Sequence, residues 1–262
     1  MRFLQNAIKQ KLHNNDVVIG SWLNLPSLEV TEIMARSGFE FLVIDIEHGP
    51  ADLETIQKMI MVAEGYDCIP IVRVEENNPV CIKKVLDMGC YGVVVPMVNS
   101  VEDAQKAIKS TYYPLEGFRG VGLSRAQGYG MEFEKYCQWH RENLVIIAQI
   151  EHIDAIHNLQ EILSLEGIDA SIIGPYDLSA SLGFPGDFAR KEVKDALTAY
   201  ERVSKKCGKP YGYHIVQVDD KLFSEKVGKG YTFIAYGVDE IFLAEKCADE
   251  IGCIKNLLNE KK

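Results

Sequence analysis

The densest concentration of groups able to do chemistry is the stretch from Phe41 to Pro50, FLVIDIEHGP, where an apolar run passes directly into Asp45, Glu47 and His48 and then a Gly-Pro break. A carboxylate that reaches one imidazole nitrogen fixes the tautomer and raises the basicity of the other, which is what a general base needs. Period-2 alternation puts Asp45 and Glu47 on one face of an extended segment, with His48 just past it and freer to fold back. The plain alternative is an Asp45 that caps the following helix and a His48 that lines a loop. The pattern recurs, however. Arg73 closes another apolar run, Gln149 and Glu151 lie in and just after a further one, Asp177 follows the next and His214 lies within the one after that. Glu151 with Asp177 is an oxygen-only pair suited to a hard divalent cation such as Mg²⁺ or Mn²⁺, a Lewis acid for a bound carbonyl, although either carboxylate taken singly reads equally as a helix N-cap. Arg73 would bring a two-pronged positive charge to a carbonyl or enolate oxygen. The turn Gly174-Pro175-Tyr176-Asp177 would offer backbone N–H groups to a substrate carboxylate. Lys209 precedes its run and no lysine ends one, which disfavours a Schiff base against metal-assisted chemistry on a 2-keto acid.

Eight strand-like runs position these groups: Val17–Trp22, Phe41–Ile46, Ile69–Val74, Tyr91–Pro96, Leu144–Ile150, Ala170–Gly174, Tyr211–Ile215 and Thr232–Tyr236. Continuous apolar runs of this kind suit parallel strands buried on both faces. Between them lie helical patterns at Leu28–Ser37, Leu53–Ala63, Pro79–Met88, Val101–Ser110, Ile153–Leu165, Lys191–Lys206, Asp219–Val227 and, with interruptions, Glu240–Leu258. Ser100 with Asp103 reads as a capping box, and Gly208 after Lys205-Lys206 as a glycine cap. Eight strand-then-helix units in 262 residues predict one α/β domain, a (β/α)₈ TIM barrel over residues 1–262 whose site collects at the carboxyl ends of the strands. A doubly wound open sheet is the alternative, but it wants a G-x-G-x-x-G turn that is absent here. The expectation includes an N-terminal helix over 2–13, a C-terminal helical segment over 240–258 that packs on the barrel or exchanges between subunits, and a long β4–β5 connection. That connection, Thr111 to Asn143, exceeds ordinary loops and predicts a functional loop with some helix of its own.

Composition narrows the partners. A net charge of −10 and a pI of about 5.2 argue against nucleic acid and anionic membrane surfaces. Seven scattered cysteines with no C-x-x-C pair fit reduced thiols in the cytoplasm better than a disulfide framework. The N-terminus is too polar for a signal peptide, and no stretch is long enough for a membrane span. Cys137 and His140 make at most half of a zinc site, His152 and His157 do not share a helix face, and His214 reads as a barrel-interior residue whose strand-end position keeps it in view. Residues 259–262 read as a solvated tail.

The motifs Gly20-Ser21-Trp22-Leu23, Asp45-Ile46-Glu47-His48, Val72-Arg73, Leu86-Asp87-Met88-Gly89, Val95-Pro96-Met97-Val98, Tyr113-Pro114, Arg119-Gly120-Val121-Gly122, Gln149-Ile150-Glu151 and Gly174-Pro175-Tyr176-Asp177-Leu178-Ser179 fall in one order from Gly20 to Asp239. In this the chain resembles the metal-dependent class II pyruvate aldolases of the 4-hydroxy-2-oxoheptanedioate aldolase and 2-dehydro-3-deoxyglucarate aldolase type, in the phosphoenolpyruvate/pyruvate barrel superfamily. The resemblance implies reversible cleavage of a 4-hydroxy-2-oxo acid to pyruvate and an aldehyde. It implies Glu151 and Asp177 as ligands of Mg²⁺, Mn²⁺ or Co²⁺, Arg73 at the pyruvate enolate, and His48 with Asp45 at the proton. Trp22 and Gln149 would line the site, the Gly174–Asp177 backbone would hold the pyruvate carboxylate, and Asp87 would approach a neighbouring subunit's site in a trimer-based hexamer. His152, Tyr176 and the segment 123–142 depart from the family pattern, and these departures are expected on the side that receives the aldehyde. Oxaloacetate decarboxylation or acyl-CoA lysis passes through a similar enolate, and an idle barrel serving as a scaffold is the reading from outside enzymology.

Overall fold

The computed structural model describes residues 1–259, so residues 260–262 of the expected tail lie outside it. Eight parallel strands, β1 (Val18–Leu23), β2 (Phe41–Asp45), β3 (Ile69–Arg73), β4 (Gly92–Val95), β5 (Val145–Ile150), β6 (Ala170–Ile173), β7 (Tyr211–Ile215) and β8 (Phe233–Val238), close in sequence order into a barrel. Twelve α-helices accompany them: α1 (Ala7–His13), α2 (Leu28–Arg36), α3 (Leu53–Gly65), α4 (Pro79–Asp87), α5 (Val101–Thr111), α6 (Phe133–Asn143), α7 (Ile153–His157), α8 (Leu159–Ser164), α9 (Pro175–Ser181), α10 (Lys191–Cys207), α11 (Asp220–Gly228) and α12 (Asp239–Asn259). The fold is the (β/α)₈ barrel that the eight runs predicted.

Each strand is apolar on both faces because each face meets a different layer. Phe41, Val43, Ile71, Val94, Ile147, Ile172 and Phe233 fill the barrel interior. Leu42, Ile44, Val72, Val93, Val95 and Ile146 face the helices. The same alternation carries Asp45 inward after Phe41 and Val43, and Arg73 inward after Ile69 and Ile71. Asp45 and Arg73 are direct register partners across β2 and β3. At the lower end Phe41 and Phe233 stack with ring centroids 4.4 Å apart, opposite glycines whose place no larger residue could take. A Cβ on Gly20 would stand 2.3 Å from Phe41 Cδ2, and one on Gly212 2.6 Å from the Phe233 carbonyl oxygen.

Four expectations about elements are corrected. The N-terminal helix begins at Ala7, since the Asn6 side chain caps it by accepting from the Ile8 and Lys9 amides at 3.2 and 3.3 Å, and the residues before it run under the barrel, where the Leu4 amide donates to Tyr91 at 3.2 Å. The helix expected over 153–165 breaks at Asn158, whose side-chain amide donates to the Asn99 carbonyl at 2.8 Å. The C-terminal helix is uninterrupted from Asp239 to Asn259, so Asn259 belongs to helix and not to a tail. The connection from Thr111 to Asn143 does carry helix, a 3₁₀ turn at Arg125–Gln127 and α6, but it joins the lower end of α5 to the lower end of β5, the rim opposite the strand ends. The capping signals hold: the Asp103 amide donates to Ser100 Oγ at 3.0 Å, and Gly208 ends α10 at φ 64°.

Candidate functional site

A cavity of about 610 Å³ opens at the carboxyl ends of the strands and is lined by Trp22, Asp45, His48, Arg73, Gln149, Gly174, Pro175, Tyr176 and Asp177 among others. These residues come from the ends of five strands, β1, β2, β3, β5 and β6, or the turns after them, and converge on one space. Of the residues expected in the site, Glu151 stands just behind the lining, 3% exposed. Asp87 is absent from it. It ends α4 at the opposite rim, where it accepts from Arg119 Nη2 at 2.6 Å, so it has no access to its own chain's cavity.

The Asp45–His48 dyad does not form in the chain. Both Asp45 oxygens are taken by Arg73, Nε donating to Oδ1 at 2.8 Å and Nη2 to Oδ2 at 2.6 Å. Asp45 Oδ1 also accepts the Glu47 amide at 3.0 Å and, at 3.5 Å, the His48 amide, so Asp45 pins the start of the loop while His48 turns out to an exposed position on the cavity lip. The reason is register: Arg73 sits directly across the ladder from Asp45 and reaches it before an imidazole on the following loop can. Arg73 is correspondingly not free to fork onto a ligand. Its remaining nitrogen, Nη1, lies 3.1 Å from Glu47 Oε2 without the alignment of a hydrogen bond, and its guanidinium carbon lies 5.1 Å from the centroid of the Trp22 ring. Glu47, which stands in the strand-end motif, is the neighbour that completes this clamp. Burial pushes its carboxyl up to about 7, with Arg73 opposing and Glu151, Asp45 and Asp177 adding to the rise.

On the other wall, Gln149 Nε2 donates to Glu151 Oε2, and the Met97 amide donates to Glu151 Oε1 at 2.6 Å. Met97 adopts φ 52°, uncommon for a side chain of its shape, in the turn after β4 that aims its amide at this carboxylate. No sequence signal marks that role, because a backbone donor leaves no residue-type signature. A Cβ placed on Gly174 would lie 3.2 Å from Glu151 Oε2 and 3.9 Å from Asp177 Oδ2, so the two carboxylates converge over the strand-to-helix turn. Burial raises the Glu151 carboxyl above its ordinary range against those two donors, and the Asp177 charge raises it further. Among the described residues no group of three or more His, Cys, Asp or Glu could hold a metal, so a cation here would take two protein carboxylates and complete its shell from water and ligand. The amino end of α9 carries no side-chain cap.

His214 is a cavity residue, as its strand position suggested. It stacks on Trp22 with centroids 4.7 Å apart, and with Nε2 3.0 Å from the Gly237 carbonyl oxygen it donates there, while burial lowers its pKa to about 4 and keeps it neutral near pH 7. Trp22 Nε1 is buried and has no hydrogen-bond partner among the described residues. Of the three departures expected on the aldehyde side, only Tyr176 lines the cavity. His152 caps α7 by accepting the Asp154 amide at 3.2 Å, and residues 123–142 lie under the barrel because they link α5 to β5.

Comparison with known proteins gives a consistent picture. A family described as HpcH/HpaI aldolase/citrate lyase matches residues 18–245. The 2-keto-3-deoxy-L-rhamnonate aldolase of Escherichia coli K12 is 34% identical over 255 residues, 97% of this chain and 94% of that protein. An HpcH/HpaI aldolase/citrate lyase family protein from Burkholderia cenocepacia J2315 superposes with TM-score 0.91 at 27% identity, covering 96% of this chain and 100% of that one. The citrate synthase SbnG superposes with TM-score 0.86 at 28% identity, covering 97% and 100%. Among the described residues no helix is long and apolar enough to cross a membrane.

Proposed function

Because the chain belongs to the HpcH/HpaI aldolase/citrate lyase family and is a carbon–carbon lyase of the aldolase type, we propose that it reversibly cleaves a 4-hydroxy-2-oxo acid to pyruvate and an aldehyde. The 2-keto-3-deoxy acid named for its rhamnonate aldolase relative belongs to that substrate class. Glu151 and Asp177 would hold a divalent ion, Mg²⁺, Mn²⁺ or Co²⁺. The observation that carries the reading is their convergence over Gly174, at 3.2 and 3.9 Å from a Cβ there. Two carboxylates so placed oppose each other's charge, a cost that a dication removes, and oxygen-only donors match these ions. When bound, the ion polarises the 2-keto oxygen.

The chain's own groups account for the remaining steps. The uncapped first turn of α9 receives the substrate carboxylate through the backbone of the Gly174–Asp177 turn. Arg73, clamped by Asp45 and Glu47, sets a fixed positive charge where the keto oxygen gains electron density as the C3–C4 bond breaks. His48, on the cavity lip, takes the proton of the 4-hydroxyl. Asp45 is thereby a positioning residue for Arg73, and Gln149 one for Glu151, while Trp22 forms the floor.

Asp87, held by Arg119 at the lower rim of its own barrel, is proposed to approach the site of a neighbouring subunit in a trimer-based homohexamer. Two features support association of copies. α12 leaves the barrel after a first turn tied down by Asp239, which accepts the Asn24 and Leu25 amides at 3.0 and 2.9 Å, and beyond it exposes Leu243, Ile251, Ile254, Leu257 and Leu258. Leu115, Phe118, Val121, Leu123 and Met131 are exposed along the connection from α5 to β5 at the lower rim. Seven unpaired cysteines support a reducing compartment, the cytoplasm.

The test is exchange of pyruvate methyl protons in D₂O with added Mg²⁺, Mn²⁺ or Co²⁺. Exchange that requires the ion and stops with chelator is expected. Chelator-resistant exchange, or borohydride trapping of pyruvate on a lysine, overturns the metal reading, and no exchange with any of the ions overturns the pyruvate reading. The likeness to citrate synthase SbnG favours one second reading, enolate chemistry on oxaloacetate or an acyl-CoA, and carbon dioxide release from oxaloacetate in parallel assays measures it.

A further inference from the structure

The cavity has two chemically distinct halves. The inner half holds Asp45, Arg73, Asp177 and His214, with Glu151 just behind. The outer half is walled by Tyr176, Phe188, Tyr213, Val218 and Leu222, with Gln217 and Asp219 between them. Tyr176 is 60% exposed, a large ring left at the mouth. It meets Phe188 edge to face, centroids 5.0 Å apart at 80°. The two rings come from the first turn of α9 and from the loop before α10, and that edge-to-face pairing holds each in place. Behind them, Gly186 turns the loop at φ 75°, and a Cβ there would already stand 3.9 Å from Tyr176 Cε1. A space of about 610 Å³ is well beyond what pyruvate alone requires, so the outer half is a compartment for the rest of the substrate.

Charge sharpens its character. Arg73 is the one Lys or Arg among the described residues that line the cavity, and its guanidinium is engaged by Asp45 and Glu47. The charged residue on the outer wall is Asp219, whose Oδ1 accepts the Lys221 and Leu222 amides, each at 2.9 Å. An anionic tail would therefore lose water, find no free cation and face a carboxylate. A chain of hydroxyls would find the Gln217 amide and the Tyr176 and Tyr213 hydroxyls and otherwise give up water for ring edges and aliphatic groups. An apolar tail gains by leaving water.

We propose that the aldehyde this enzyme releases and takes up is uncharged and ends in an apolar group, aliphatic or aromatic, that lies against Tyr176 and Phe188, the two residues that select it. The proposal rests on the aldolase reading above. It is tested by aldol addition of pyruvate to butanal, benzaldehyde, glyceraldehyde and succinic semialdehyde with the metal-loaded protein, comparing kcat/KM. Butanal or benzaldehyde is expected to exceed glyceraldehyde by about tenfold and succinic semialdehyde by on the order of 100-fold, the range over which apolar pockets discriminate. In Tyr176→Ala and Phe188→Ala that ratio, taken within each variant so that general losses cancel, is expected to fall about tenfold. A preference for glyceraldehyde or succinic semialdehyde, or ratios unchanged in both variants, overturns the proposal. Pyruvate proton exchange by the parent separates the two failures: exchange without the aldehyde preference sinks only this inference, whereas absent exchange takes the aldolase reading with it.

Discussion

Arg73 is held in a way that a lysine cannot copy. Its Nε and Nη2 grip the two oxygens of Asp45, so the position of the positive charge depends on a planar fork. Arg73→Lys is expected to fold and to bind metal, yet to lose both aldol cleavage and pyruvate proton exchange by on the order of 10²-fold, the scale of one missing donor at a developing oxyanion. Near-parent exchange with failed cleavage would instead move Arg73 to the aldehyde side. Asp45→Asn removes one charged half of the clamp and is expected to reduce the same two rates together while metal affinity, read by titration calorimetry, stays near the parent value. A variant that simply lost its metal would make Asp45 a ligand. Glu47 gives a pH signature. A carboxyl pushed up to about 7 binds its proton more tightly folded than unfolded, so its contribution favours the folded state at low pH and is lost as pH rises from the ordinary carboxylate range through 7. Urea unfolding of the metal-free protein at pH 4.5–8 is expected to show the parent losing about 1–3 kcal/mol relative to Glu47→Gln across that window. Parallel curves would show that Glu47 is charged throughout.

At the scale of elements, the site depends on how strands approach one another low in the barrel. β1 passes Phe41 at Gly20, where a Cβ would stand 2.3 Å from Phe41 Cδ2 and 2.4 Å from the Phe41 carbonyl oxygen. The clash involves backbone and a ring that is itself stacked on Phe233, so neither can yield cheaply. Gly20→Ala is expected to destabilise the protein by about 2 kcal/mol, as overpacking of a filled core does, with the denaturant slope unchanged. A loss within experimental error would mean that β1 and β2 can separate locally. The strand-end residues themselves were legible in the sequence because a period of two and an apolar run specify which side chain points inward. Their partners were less so: Asp45 meeting Arg73, and not His48, is a consequence of parallel register between segments far apart in the chain.

For the molecule as a whole, α12 is the element its own barrel leaves uncovered. A helix whose only buried residue is Asp239 gains little from its own barrel, and its apolar side chains are where association of copies would be decided. Ile254→Glu combined with Leu257→Glu is expected to leave far-ultraviolet circular dichroism near the parent's and to reduce the mass measured by light scattering from an oligomer to a smaller species. Activity should fall with it if Asp87 of the partner subunit approaches the site. An unchanged mass would show that α12 is not part of the interface.

By itself, the sequence determined the barrel, its eight strands to within a residue or two, the inward-facing Asp45, Arg73 and Gln149, and the carboxylates after β5 and β6. These follow from local rules, alternation along a strand and capping at a turn, which act over a few residues and so are written in consecutive letters. Tertiary structure alone decided that Arg73 is spent on Asp45, that the Met97 amide holds Glu151, that Tyr176 pairs with Phe188, and that the 123–142 segment lies at the far rim. Each of these is a meeting of residues from separate strands or loops, or rests on a backbone atom that every residue type carries, and barrel closure is what brings them within a few ångströms.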